Sequence, residues 1–110
     1  MQSNFFNMKL NDFERGWLIG DFNPALIHSK DIEVGVKEFL KGESEPLHVH
    51  KNTKEYTIVL SGEIKMLGKI FRKGEICFVD AGVPSSFESL LDSQLLVIKS
   101  PSNPSDKEFI

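Results

Sequence analysis

The chain has 110 residues, 40% hydrophobic and 26% charged, with thirteen basic against sixteen acidic side chains and a formal net charge of -3. This is the size of one domain, with enough apolar content to bury a core without disulfide staples. The basic residues are scattered singly or in pairs such as Arg72-Lys73, which argues against nucleic acid as a partner, and no apolar run is long enough for a membrane span.

The N-terminal stretch MQSNFFNMKLNDFERGW lacks the basic start and apolar run of a signal peptide. Cys77 is the only cysteine and sits in the apolar run ICFV, where a buried, inert thiol is expected. With no intramolecular disulfide possible, a cytoplasmic location is the expectation.

Residues 1–12 read as an arm, and the Phe5-Phe6 pair suggests that it packs on the domain or on a second subunit. GWLIGDF (Gly16 to Phe22) reads as a first strand, broken by Asn23-Pro24. From Asp31 to Leu40 the chain alternates with a period of two. Val34, Val36, Glu38 and Leu40 fall on one face, and Glu33, Gly35, Lys37 and Phe39 on the other, so a strand is predicted.

A polar connection then leads to a short strand, LHVH, in which Leu47 and Val49 face away from His48 and His50. Glu55 to Leu60 is a strand by its β-branched and aromatic content, closed by Ser61-Gly62. Leu67-Gly68 reads as the tip of a hairpin between Glu63–Met66 and Lys69–Phe71, and Lys73-Gly74 as a second tight turn before Ile76 to Val79. Phe87 to Leu91 and Gln94 to Lys99 complete the predicted strands. The tail from residue 101, PSNPSDKEFI, has no periodicity and is expected to lie along the surface. No convincing amphipathic helix occurs, so an all-β domain, closed or sandwiched, is predicted over about 13–100.

The chemistry concentrates in GESEPLHVHKNTKEYTIVLSG, from Gly42 to Gly62. His48 and His50 are at i and i+2, so in a strand both rings face the same side. Glu55 follows the turn-forming run KNTK and can return to that side on the next strand. Two imidazoles and a carboxylate make a ligand set for a divalent metal. The parity of Glu55 with Thr57 and Val59, opposite Tyr56, Ile58 and Leu60, leaves open which face of this strand is inside.

The spacing of Gly42, His48, His50, Glu55 and Gly62 resembles the first motif of the cupin superfamily at every fixed position. The second motif is matched in part. Gly74, then Asp80 where the family has proline, then Ala81-Gly82 reproduce its turn, but Ser85 stands where the family has a third histidine ligand and Ser89 where it has asparagine.

The resemblance implies a double-stranded β-helix, the jelly-roll cupin barrel, with a site in its mouth. It implies a divalent transition metal (Fe, Mn, Zn or Ni) held by His48, His50 and Glu55, a small-molecule ligand and a homodimer. Activities in the superfamily run from metal-dependent enzymes to non-catalytic sugar or carboxylate binding, so catalytic residues are not assigned. Ser85, Glu38 and Tyr56 are candidates for the pocket, and Glu88, Asp80, Glu38 and His28 are candidates to replace the missing ligand. Trp17 is expected to be a core or interface aromatic.

Overall fold

The structure, a computed structural model, describes residues 7–110, so the Phe5-Phe6 pair lies outside the described residues. Two 3-10 turns, Leu10–Asp12 and Glu14–Gly16, lead into the strands β1 (Trp17–Gly20), β2 (Ile27–His28), β3 (Glu33–Phe39), β4 (Ser44–Val49), β5 (Lys54–Ser61) and β6 (Glu63–Met66). They continue as β7 (Lys69–Arg72), β8 (Ile76–Val79), β9 (Ser85–Ser89), β10 (Ser93–Ser100) and β11 (Glu108–Phe109). The strands form two sheets, ordered β2-β1-β3-β10-β5-β8 and β11-β4-β9-β6-β7. All pairings are antiparallel except β1 with β2.

The inner faces of the two sheets meet in a core of Val59, Ile64, Met66, Cys77, Val79, Phe87, Leu95 and Val97. Each strand contributes alternate residues, as a pleat with one buried face requires. Cys77 is buried and free, and burial raises its thiol pKa, which keeps it protonated and inert. Leu67 and Gly68 both have positive φ (53° and 72°), the backbone of a two-residue turn whose twist matches the strands it joins. Gly62, also at positive φ, closes β5. A Cβ there would lie 2.2 Å from Ser93 Oγ, so only glycine fits.

Three elements differ from the sequence expectation. The strand predicted at Phe87 to Leu91 runs instead over Ser85–Ser89, because Ser85, Phe87 and Ser89 carry the buried parity and Ser85 pairs with His48. The tail is more than a surface strap. Its residues 108–109 form β11, which adds to the edge of β4 with Phe109 opposite His48. Ile27–His28 adds a short strand that the loop-like composition hid.

Candidate functional site

The register of β3, β5 and β10 decides which faces are internal. On β5, Glu55, Thr57 and Val59 are buried, while Tyr56 and Leu60 are exposed. On β3, Glu33 and Gly35 are buried, and Lys37 and Phe39 line the cavity, so the inner face is the one carrying the charges and the glycine. Two pocket expectations are thereby corrected. Glu38 is exposed on the outer face of β3, one residue out of phase with the cavity. Tyr56 is 38% exposed and stacks on Phe78 outside the barrel, with ring centroids 5.0 Å apart. The apolar content of Val34, Val36 and Leu40 pointed the other way because the barrel lines its mouth with polar groups and leaves aliphatics on the outside.

His48, His50 and Glu55 all face inward, with relative exposures of 4%, 5% and 9%, and all three line one cavity of about 450 Å³. That volume is in the range of small-molecule sites, roughly 300–1,000 Å³. The histidine rings meet edge to face at 5.2 Å. His48 Nδ1 donates to the Pro46 carbonyl at 2.9 Å, and His50 Nδ1 donates to the carbonyl of Asp106. A carbonyl can only accept, so both rings carry a proton on Nδ1, and Nε2 is the atom each turns away from that contact. Burial lowers the pKa of His50, with nearby Lys99 and His48 adding repulsion, although the Asp106 carbonyl and Glu55 oppose the shift.

The remaining charges come from elements the histidine motif does not include. Lys99, on β10, is the cross-strand partner of Glu55 on β5, and its Nζ lies 4.0 Å from Glu55 Oε1. The ammonium also lies 5.0 Å from the Trp17 ring centroid, and Lys37 Nζ lies 4.7 Å from the same indole. Trp17 can sit there because Gly35 beneath it has no side chain; a Cβ at 35 would lie 2.6 Å from Trp17 Cε3. Lys37 Nζ donates to the Arg15 carbonyl and has no carboxylate within 4.0 Å among the described residues. Burial, with Arg15 and Lys99 adding repulsion, lowers its pKa to about 8. Sequence reading missed Lys37, Lys99 and Trp17 as site residues. The placement of Lys37 on the face of Glu33 and Gly35 was the one available signal.

The tail closes the site. Asp106 accepts the backbone N–H groups of Lys51 and Asn52 at 3.0 and 2.8 Å, and Lys107 pairs with Glu45 at 2.7 Å. Phe109 meets His48 edge to face at 6.3 Å.

A metal ion fits these residues poorly. The two histidines present Nε2 as ligands do, but Glu55 faces an ammonium. Among the described residues no three His, Cys, Asp or Glu side chains are gathered closely enough to hold an ion. Nor do the proposed replacements reach the cavity. Asp80, Glu88 and His28 are all exposed, and His28 Nε2 is 2.5 Å from Asn23 Oδ1. Ser85, 2% exposed, lies across from His48 with its hydroxyl closed off and does not line the cavity.

No protein-family model matches the chain, and no curated protein matches it in sequence. Solved structures do match in shape. An uncharacterised double-stranded β-helix protein from Klebsiella pneumoniae superposes with a TM-score of 0.66 at 19% identity, over 74% of this chain and 71% of that one. The chain has the cupin fold. An RmlC-like cupin from Shewanella frigidimarina aligns with a TM-score of 0.62 at 22% identity, over 68% of this chain and 70% of its own. KdgF from Halomonas aligns at 0.63 and 18% identity, over 69% of this chain and 75% of its own. The DMSP lyase DddQ from Ruegeria pomeroyi aligns at 0.67 and 18% identity, over 84% of this chain and 49% of its own. At these identities the cupin fold is what is shared, and the chemistry rests on this chain's own residues.

Proposed function

We propose that this cupin domain binds a small organic anion, a carboxylate-bearing metabolite, without a metal ion. The observation that carries this reading is the pair of ammonium groups, Lys37 and Lys99, set against one indole at the wall of a cavity that also holds two imidazoles. A carboxylate entering there gains charge-assisted hydrogen bonds from Lys37, which has no carboxylate within 4.0 Å among the described residues, and from Lys99, which is also paired with Glu55. The floor of Phe87, Leu95 and Val97 suits a short apolar body, and the Nε2 atoms of His48 and His50 hydrogen-bond its hydroxyl groups.

The metal-dependent enzyme expected from the family resemblance would need Glu55 to leave Lys99 and turn to the histidines, so it is the less favoured reading of this pocket.

A thermal-shift panel at constant ionic strength tests the proposal. Small mono- and dicarboxylates should raise Tm saturably, and Lys37→Met and Lys99→Met should each weaken the effect about tenfold, the loss of one charge-assisted contact. A response to neutral sugars alone, unchanged in both variants, would overturn it.

A further inference from the structure

The outer face of the six-stranded sheet is apolar, although an antiparallel sheet with one face in water ordinarily alternates apolar-in and polar-out. Cross-strand register sets its outward side chains in two rows over β3, β10, β5 and β8. Val36, Leu96, Ile58 and Ile76 are successive partners in one row. Val34, Ile98, Tyr56 and Phe78 are successive partners in the next. No charged side chain interrupts this grid. Ile76 is 58% exposed, Phe78 45% and Tyr56 38%, and the other members are half-buried, so the described residues leave the face open to solvent. Single exposed aliphatics are ordinary, but a contiguous apolar patch marks an interaction surface.

We infer that this face is the contact between two copies of the chain, packed sheet on sheet. Four strands about 4.8 Å apart, each contributing the length of Lys54 to Leu60 at about 3.3 Å per residue, make a face of roughly 400 Å². A standard interface buries about 800 Å² on each partner around an apolar centre with a polar rim, so the grid supplies that centre. Leu60 and Leu40, 38% and 65% exposed, extend it at one end. The rim carries both signs of charge. Lys54 lies at the end where β5 meets Ser100, and Glu38 lies at the opposite end beside Gln94. A two-fold contact meets itself, so each copy offers both signs to the other. An anionic membrane surface would instead be matched by a basic rim. Lys37, Glu55 and Lys99 project from the opposite face of the same strands, so this pairing is independent of what the cavity binds.

The test is the solution mass of the full chain, by sedimentation velocity and light scattering from low to high micromolar concentration. A particle of twice the chain mass is expected. Ile76→Lys and Phe78→Lys change solvent-facing positions, so each should keep the near-ultraviolet circular dichroism of the single tryptophan while weakening association about a hundredfold, because a two-fold contact takes the unpaired lysine twice. Radical footprinting reads the same surface without substitution. In the unaltered protein Tyr56 and Phe78 should be protected where the dimer forms and labelled on dilution. A monomer at every concentration overturns the inference, whether residues 1–6 or another molecule then covers the face. A dimer that survives both substitutions, with Tyr56 and Phe78 still labelled, overturns it as well and puts the contact on another surface.

Discussion

Glu55 and Lys99 sit directly across from one another on β5 and β10, and their charged atoms are 4.0 Å apart inside the cavity. The carboxylate that the histidine motif would aim at a metal thus already faces a cation covalently tied to the barrel. Added Mn, Fe, Zn or Ni should therefore leave the Tm of the unaltered protein unchanged. Lys99→Met removes the competing charge and should create metal-dependent stabilisation, worth about 2.7 kcal/mol at a metal concentration a hundred times Kd. Calorimetry with and without chelator checks both, and metal stabilisation of the unaltered protein would refute the assignment.

Gly35 is the seat of Trp17. Gly35→Ala places a Cβ 2.6 Å from the indole, which must move, at a cost of about 1–3 kcal/mol. The near-ultraviolet circular dichroism of the single tryptophan should change, and anion binding should weaken with it because both lysines lose their platform. Unchanged binding alongside a displaced tryptophan would show that the indole does not organise the site.

The Asp106 carboxylate is one of the ties that hold the C-terminal strap at its middle. Asp106→Ala removes the acceptor of the Lys51 and Asn52 N–H groups and should destabilise the protein by about 1–2 kcal/mol. Hydrogen exchange should quicken at residues 51–52 and along 106–110 before the core opens.

Acid should destabilise the protein in two stages. Burial holds the pKa of His50 below its ordinary value, so the unfolded chain takes up that proton first. Stability from this source is full above about pH 6.5 and falls as pH drops below it. Desolvation opposes ionisation of Asp106 and Glu45, but the amides of Asn52 and Lys51 and the Lys107 ammonium outweigh it, so both carboxyls are held low. Their contribution is full above the ordinary carboxylate range and is lost as pH falls through their lowered values. His50→Asn, which keeps a donor for the Asp106 carbonyl, should abolish the upper stage of a Tm-against-pH curve and leave the lower one.

The Ser85 hydroxyl is buried with no hydrogen-bond partner among the described residues. Ser85→Ala removes an unsatisfied group and should be neutral or stabilising by up to about 1 kcal/mol, as denaturant midpoints would show.

Local spacing determined a great deal here. The period of two from Asp31 to Leu40 required a strand, and the i, i+2 relation of His48 and His50 required that their rings share a face; the structure has both. The Gly42-to-Gly62 pattern pointed to the cupin fold, which the solved neighbours share. Which face of β3 and β5 turned inward was not legible, because both faces carry apolar residues and a barrel mouth lines itself with charge. That choice depends on register against β10, more than thirty residues away, and it put Lys37 inside and Glu38 and Tyr56 outside. Lys99 meets Glu55 through the same register. The tail likewise reads as loop, since two prolines hide a strand that forms only on the open edge of β4. A ligand set can be read from residues on one short stretch. The cation that faces it comes from a distant strand, and only the paired sheets bring the two together.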